Sequence, residues 1–321
     1  MKTKQAPTSS TSTKPLLAGS KPSSSSSAFV EYVLATRPWS FTAAIIPVLV
    51  VSAVVGADLQ SLAFARCLIM AVAIQAGANL TNTYYDFANK VDTKVGGERT
   101  LVDDKVSSTG VVVLSVICYL VGIASVMPVF LERTDNSQLA AIFGVGCLLA
   151  FFYTATPVGL KYRALGDITI FVCFGPLLMQ CTSILLTGTT RTDLYLYSVP
   201  IGCLTEAILH ANNARDIEAD SRAKATTLAT MIGLNNSYWV YAALFAGSFL
   251  SVLVISYQFH WGAVAAFLTV PLALDLFKHY RENKMQELPE ETAKMHLPFG
   301  VLLWLGIRLT EEGISGVSGI A

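Results

Sequence analysis

Apolar runs alternate with short polar segments along most of the 321-residue chain. Many of these runs approach the length of about 20 residues that an α-helix needs to cross a bilayer. The pattern therefore predicts nine membrane-spanning helices, at residues 32–55, 61–86, 109–131, 137–156, 164–188, 193–214, 237–257, 260–277 and 294–310.

Composition supports an all-α membrane protein. Hydrophobic residues make up 53% of the chain and charged residues only 14%, whereas a soluble domain carries about 25% charged residues. A net charge of zero argues against nucleic acid as a partner. Residues 1–27 are rich in Ser, Thr and Lys, so we expect a disordered tail. Residues 28–321 then form a single transmembrane domain.

The distribution of Lys and Arg predicts the orientation in the membrane. Cations are concentrated in the N-terminal tail and in the loops after spans two, four, six and eight, whereas the other loops hold few. Because cationic loops stay in the cytosol, the N-terminus and the even-numbered loops are expected there.

Two sets of polar side chains lie at span ends on this cytosolic side. In NTYYD, Asn82 and Asp86 are four residues apart and share a helix face, and Asp92 follows in the next loop. The second set stands at the end of span six, with a spacing of four and four that gives one stripe if the helix continues. It consists of Asn212, Asp216 and Asp220.

Oxygen ligands on two sides of a cavity suit Mg²⁺, which is commonly bound by a few carboxylates together with substrate phosphates. Four aspartates carry a charge of −4, which two Mg²⁺ ions would cancel. Nearby cations, Lys161, Arg215 and Lys224, could then meet a diphosphate. A single acid at a helix end is typical of a solvated loop, but two matched sets on one side favour a metal–diphosphate site.

Four segments resemble the UbiA-type family of intramembrane aromatic prenyltransferases. They are RPWSF from Arg37, NTYYDFANKVD from Asn82, KYRALGD from Lys161 and EAILHANNARDIEAD from Glu206. The resemblance covers about residues 30–310. The second acidic motif, N-x-x-R-D-x-x-x-D, is specific, and the first resembles the form of the naphthoquinone branch, which makes menaquinone.

This resemblance implies nine transmembrane helices around a central cavity that opens laterally to lipid. It also implies Mg²⁺-dependent transfer from an isoprenyl diphosphate, geranylgeranyl diphosphate above all, to the naphthoquinol menadiol, forming menaquinone-4. The metal ligands implied are Asn82, Asp86, Asp92, Asn212, Asp216 and Asp220. Lys161, Arg215, Lys224 and Arg99 would hold the diphosphate, with Asp167 beside them and Arg37 in a further matching segment.

A further polar group lies on another face of span six. Glu206, His210 and Asn213 are spaced four and three apart, so they face one direction. They could orient the quinol or take up its proton, or they could form a structural polar network between helices. The sequence leaves both readings open.

Three alternatives compete with the naphthoquinol assignment. One is another acceptor, such as 4-hydroxybenzoate of the ubiquinone pathway, homogentisate or haem. The second is an ion-coupled transporter, although transporters place acids near mid-bilayer. The third is a sterol-regulatory partner of hydroxymethylglutaryl-CoA reductase, which the resemblance to animal members suggests. The same members imply endoplasmic reticulum and Golgi membranes, with mitochondria as the alternative.

Overall fold

A computed structural model of the protein describes residues 28–91 and 100–318, with side chains as far as residue 310. Helices make up nearly all of this part of the chain, and a single isolated β-bridge joins Arg163 to Thr226. The helices are α1 (Ala28–Ala35), α2 (Thr42–Val54), α3 (Leu62–Ala88), α4 (Ser108–Glu132), α5 (Ser137–Phe152), α6 (Gly166–Val172), α7 (Leu178–Thr187), α8 (Leu194–Arg215), α9 (Ile217–Arg222), α10 (Leu228–Gln258), α11 (Val270–Arg281) and α12 (Leu288–Ser318).

Seven helical segments in the described ranges are long and apolar enough to cross a membrane. They are Ala28–Val54, Leu62–Ala88, Ser108–Glu132, Gly166–Thr187, Leu194–Arg215, Leu228–Gln258 and Trp261–Arg281. The predicted all-α membrane fold is therefore confirmed. The fourth predicted span is the 16-residue helix α5, and the ninth lies inside the more polar α12. The count of nine spans therefore stays a prediction. The tail boundary at residue 27 also stays a prediction, because residues 1–27 lie outside the described ranges.

The first span is broken at Arg37. Pro38 disfavours a helical conformation at the residue before it, and Arg37 adopts a left-handed conformation with φ 54°. A short 3₁₀ turn, Pro38–Phe41, then leads into α2. The break directs the chain so that Arg37 and Trp39 line a cavity in the bundle.

The fifth predicted span is also irregular. Between α6 and α7 the backbone forms a π-turn, Cys173–Leu177, that contains Pro176. Proline cannot donate an intrahelical hydrogen bond, and a π-turn is one way a helix accommodates the gap. Cys173, Phe174 and Leu177 of this turn line the same cavity.

The two halves of the bundle are packed differently. The half built from α2, α8 and α10 to α12 has a continuous core, in which the rings of Tyr241 and Phe245 lie 4.9 Å apart and Phe299 is fully buried. The half built from α3 to α7 has a smaller core cluster, described below, and leaves a cavity above it. Exposed apolar side chains of α4, such as Val116 and Leu120, suit contact with lipid.

We predict that Gly306→Ala destabilises the bundle. A methyl group at Gly306 of α12 would overlap the backbone carbonyl of Gly262, in the 3₁₀ segment Trp261–Thr269. Overpacking costs about 1–3 kcal/mol, so the midpoint of thermal unfolding in detergent should fall measurably. Gly144→Ala is the matched control, because nothing lies within 4 Å of its added methyl. Equal midpoints for the two variants would contradict this close approach.

Candidate active site

The first acidic set lies at the end of α3. Asn82 and Asp86 are both buried, one helical turn apart. One oxygen of Asp86 accepts a hydrogen bond from the Lys161 ammonium at 2.8 Å, and the other accepts one from the Tyr162 hydroxyl at 2.6 Å. The Asp86 carboxylate is thus held from both sides by consecutive residues of one loop.

The helix break at Arg37 contributes to this set. With the Asn82 amide oriented so that both of its ends are satisfied, its oxygen accepts from Arg37 Nη1 at 3.0 Å and its nitrogen donates to Asp86 Oδ2 at 2.6 Å. Asn82 therefore connects the guanidinium of Arg37 to the carboxylate of Asp86.

The loop that carries Lys161 is fixed mainly by backbone contacts. The Lys161 N–H donates to the Tyr153 carbonyl at 2.8 Å, directly after α5. Further along, the Ala164 N–H donates to the Thr226 carbonyl at 2.7 Å, and the Thr226 N–H donates to the Tyr162 carbonyl at 3.2 Å. These bonds attach the loop to the segment between α9 and α10 and hold the Lys161 side chain in the interior.

The second acidic set lies at the end of α8. Arg215 grips Asp216 with two hydrogen bonds, Nε to Oδ1 at 2.8 Å and Nη2 to Oδ2 at 2.6 Å. Its Nη2 also donates to Asn212 Oδ1 at 2.8 Å. A guanidinium matches a carboxylate in this two-pronged geometry better than an ammonium does.

The continuous helix on which a single stripe would depend is interrupted after Arg215. The chain leaves the regular helix at Asp216, which caps α8 with φ −96° and ψ 10°, and Asp220 belongs to the separate helix α9. The Asp216 N–H still donates to the Asn212 carbonyl, and the Asp220 N–H to the Asp216 carbonyl. The four-residue spacing therefore survives the break, while the break allows Asp220 to turn inward.

Asp220 is the acid whose surroundings point most directly to a cation. Its side chain is buried, and its Oδ2 accepts no hydrogen bond from any residue that the structure describes. Burial raises the pKa of Asp220 to about 6; Asp216 and Asp86 also raise it, while Lys161 and Arg215 act in the opposite direction. Because Asp86 and Lys161 act on the Asp220 carboxyl, the two acidic sets lie near one another, and the unsatisfied oxygen of Asp220 fits a divalent cation.

Three further residues predicted for the site are Asp92, Arg99 and Lys224. Asp92 and Arg99 lie outside the described ranges, so their places stay predictions. Lys224 stands in a left-handed turn after α9 and is exposed, and no ion pair joins it to the acids within the part of the chain described.

Asp167, Glu206 and His210 form a cluster between α6, α8 and α10, in which Glu206 and His210 are buried and Asp167 is partly exposed. Their ligand atoms lie within 4.8 Å of one another. His210 Nδ1 is 3.0 Å from Asp167 Oδ1, and its Nε2 is 3.1 Å from the Ser237 carbonyl. Since a carbonyl only accepts, Nε2 carries a proton. The Glu206 carboxyl lies beside the Asp167 carboxyl, close enough for a hydrogen bond between the two.

This cluster stands behind the cavity wall. On α8, the residues that line the cavity are Thr205, Ile208, Leu209 and Asn212. Glu206, His210 and the buried Asn213 are not among them. Any effect of Glu206 or His210 on a molecule in the cavity would therefore have to pass through a wall residue such as Tyr153, whose buried hydroxyl is unpartnered in the described structure.

The cavity itself has a polar mouth and an apolar interior. Asn82, Lys161, Asn212 and Arg37 line the end of the cavity beside the acidic sets, which we call the mouth. Mostly apolar side chains of α3 and α5 to α8 line the remainder, with Gln75, Thr169 and Thr205 as polar exceptions. The empty space amounts to about 1340 Å³, a figure that includes the open mouth. Such a shape suits a molecule with a charged head and a long apolar tail.

Sequence reasoning gives Tyr162 and Thr226 no role, although both shape the site. Tyr162 directly follows Lys161, and this adjacency was the available signal. Thr226 acts through its backbone atoms, so its residue type carries no signal at all.

Comparison with known proteins agrees with this architecture. The model of the UbiA prenyltransferase family matches residues 44–305. The chain is 36% identical over 286 residues to UbiA prenyltransferase domain-containing protein 1 of Xenopus tropicalis, covering 88% of this chain and 83% of that protein. The human protein of the same name is 35% identical over 286 residues, covering 88% of this chain and 84% of its own length.

Solved structures share the fold at low sequence identity. A UbiA homologue from Aeropyrum pernix K1, in its apo form, has a TM-score of 0.66 and 13% identity, covering 82% of this chain and 97% of that one. A UbiA homologue from Archaeoglobus fulgidus bound to GPP and Mg²⁺ has a TM-score of 0.58 and 12% identity, covering 85% and 99%. An intramembrane prenyltransferase is the class that the bundle, the cavity and these matches define. The chain belongs to the UbiA prenyltransferase family.

We predict that Lys161→Met destabilises the protein strongly. The substitution removes the ammonium that pairs with buried Asp86, and breaking a buried ion pair from one side costs about 3–5 kcal/mol. Lys294→Met is the matched control, because Lys294 pairs with Glu290 at 2.8 Å on the surface, where such pairs contribute about 0–1 kcal/mol. Thermal unfolding followed by tryptophan fluorescence measures both variants, and an equal loss of stability would contradict the buried pair.

Proposed function

We propose that this protein transfers a prenyl group from geranylgeranyl diphosphate to the naphthoquinol menadiol, in a Mg²⁺-dependent reaction that forms menaquinone-4. The carrying observation is the meeting of two acidic sets, together with Lys161 and Arg215, at the mouth of an apolar cavity. A diphosphate fits the charged mouth and a prenyl chain fits the apolar interior. Family membership supports prenyl transfer as the reaction class.

The residues at the mouth fit Mg²⁺. Asp86, Asp216 and Asp220 supply carboxylate oxygens, and Asn82 and Asn212 supply amide oxygens, which are the ligands this hard cation prefers. The unsatisfied Oδ2 of buried Asp220 is the oxygen that most needs such a partner. Asp92 is assigned as a further ligand from its motif alone. When bound, Mg²⁺ would neutralise charge on the departing diphosphate.

Archaeal neighbours lend support for the donor class. UbiA homologues from Archaeoglobus fulgidus have been solved bound to GPP and Mg²⁺ and to DMAPP and Mg²⁺. Because this chain shares their fold, we assign an isoprenyl diphosphate as its donor.

In the proposed reaction the bond between the allylic carbon and the diphosphate oxygen breaks, and its electron pair leaves with the diphosphate. A ring carbon of the quinol forms the new carbon–carbon bond and then loses its proton. Lys161 and Arg215 are the cations assigned to the leaving diphosphate, with Arg99 and Lys224 from the motifs. Stabilising the charge of the leaving group is the largest contribution that such a site can make.

The cavity wall also matters for the fate of the prenyl cation. A cationic prenyl group reacts readily with water, so the site must exclude it. The apolar side chains of α3, α5 and α7 give the cavity that property. Phe174 of the π-turn lines the wall, and aromatic rings attract cations.

The acceptor assignment rests on family likeness, with 4-hydroxybenzoate as the main rival. We assign quinol positioning to Glu206, His210 and Asn213. Since Glu206 and His210 stand behind the wall, we assign them an indirect role through Tyr153, which lines the cavity. Asp167 contacts His210 and belongs to the same group.

Location and partners follow from the same likeness. We assign the protein to endoplasmic reticulum and Golgi membranes, with the mouth of the cavity on the cytosolic side, as the cationic loops indicate. Hydroxymethylglutaryl-CoA reductase is the protein partner proposed on this basis.

Purified protein in nanodiscs tests the reaction. With geranylgeranyl diphosphate and Mg²⁺, menadiol should give menaquinone-4 by chromatography and mass spectrometry, whereas 4-hydroxybenzoate and homogentisate should give no prenylated product. Chelation by EDTA should stop the reaction, and added Mg²⁺ should restore it. Product from 4-hydroxybenzoate with none from menadiol would overturn the acceptor assignment.

Asp86→Ala and Asp216→Ala should each lower turnover by at least about 100-fold, because each removes a ligand that holds the charge of the diphosphate. Asp193→Ala is the matched control: Asp193 precedes the opposite end of α8 and pairs there with Arg191 at 2.6 Å. It should retain near-normal turnover. Near-normal turnover in both site variants would refute the proposed metal site.

A further inference from the structure

The depth of the apolar cavity can be measured along the helices that line it. On α3 the wall extends from Asn82 at the mouth to Met70, a separation of twelve residues. On α5 it extends from Tyr153, just after the helix end, to Ile142, a separation of eleven. At 1.5 Å per residue these separations correspond to about 18 Å and about 16 Å. Two helices thus give nearly the same depth.

The lower end of the cavity is closed by a core cluster. Six residues belong both to the cavity wall and to this cluster: Met70, Ala71, Ile142, Phe143, Leu178 and Cys181. Below them the cluster continues through buried Phe64, Leu139 and Ile184. The cavity therefore ends on packed side chains, which we call the floor.

This depth can be compared with the length of a prenyl chain. A fully extended chain gains roughly 1.2 Å per bond, since a residue of three backbone bonds spans at most about 3.3–3.6 Å. An isoprene unit of four bonds then spans about 4.8 Å, and four units span about 19 Å. Four units match the measured depth, three leave the floor uncovered, and five exceed it.

Gly146 stands partway along this path. It lies on α5 seven residues from Tyr153, so it is about 10 Å below the mouth, where a chain would begin its third isoprene unit. A methyl group added to Gly146 would meet nothing within 4 Å, and the residue lines the cavity. The missing side chain leaves the passage open at this level.

We propose that the floor limits the donor to four isoprene units and that Gly146 keeps open the space for the third and fourth. This inference rests on the proposed function and deepens it, because it assigns donor length to particular residues. A larger side chain at Gly146 shortens the usable cavity to about two units. A smaller side chain in the floor, at Phe143, lengthens it.

The test compares Gly146→Leu with Gly144→Leu. Both glycines lie on α5, and an added methyl meets nothing within 4 Å at either position; of the two, the cavity wall of the described structure includes Gly146. Purified variants in nanodiscs are assayed with geranyl, farnesyl, geranylgeranyl and five-unit geranylfarnesyl diphosphates, Mg²⁺ and menadiol. Thermal stabilisation by each diphosphate gives a binding readout that needs no acceptor.

Gly146→Leu should retain activity with the geranyl donor and lose about tenfold or more in kcat/KM with the geranylgeranyl donor. Stabilisation by the longer diphosphates should fall in parallel. Gly144→Leu should keep the donor preference of the unmodified protein. Phe143→Ala should gain activity with a five-unit donor, and it provides a second reading if Gly146→Leu does not fold.

An unchanged ratio of geranylgeranyl to geranyl activity in Gly146→Leu would overturn the proposal, and so would the same change of ratio in Gly144→Leu. Failure of the proposed function looks different. If diphosphates stabilise the protein according to length but menadiol gives no product, the acceptor is wrong and the length limit stands. If no isoprenyl diphosphate stabilises the unmodified protein, both fail.

Discussion

The site depends on keeping several carboxylates close together in a partly buried place, where they repel one another and lose hydration. Three of these carboxylates are accommodated in three different ways. Asp86 is paired with an ammonium and a phenol hydroxyl, Asp216 is gripped by a guanidinium, and Asp220 keeps one oxygen unsatisfied. The first two acids are stable with the protein's own cations. Of the aspartates of the two sets that the structure describes, Asp220 keeps an oxygen that an external cation would satisfy.

The division of the bundle into a solid half and a hollow half gives this arrangement its setting. The continuous core of α2, α8 and α10 to α12 supports α8 from behind, so the end of α8 holds a fixed position. The other half gives up packing to form the cavity. Proline-linked irregularities at Arg37 and Cys173–Leu177 both fall in its wall, where a regular helix would present a different set of side chains.

Periodic features of the sequence predicted most of the fold. Apolar runs gave the spans, and spacings of four placed Asn82 beside Asp86 because α3 is regular there. The local pattern could not show where tertiary structure interrupts a helix. The break at Asp216 has no proline or glycine to mark it, and it takes Asp220 off the expected stripe.

The neighbour that a helix face meets was harder to predict than the spacing of residues along the helix. A shared helix face says nothing about which neighbour that face meets, so the sequence could not tell that Glu206 and His210 do not line the cavity. Tyr162 and Gly146 were missed for a related reason. A residue that contributes one hydrogen bond, or only the absence of a side chain, leaves no periodic signal.

The tie between the Lys161 loop and Thr226 has a consequence for tolerance to mutation. It consists of two hydrogen bonds between backbone atoms, so side chains along both segments can be exchanged without removing them, unless proline takes away an N–H. The stability of this connection between the two segments therefore depends little on which residues form them. Substitutions in these loops can therefore change the surface of the protein while the Lys161 ammonium stays beside Asp86.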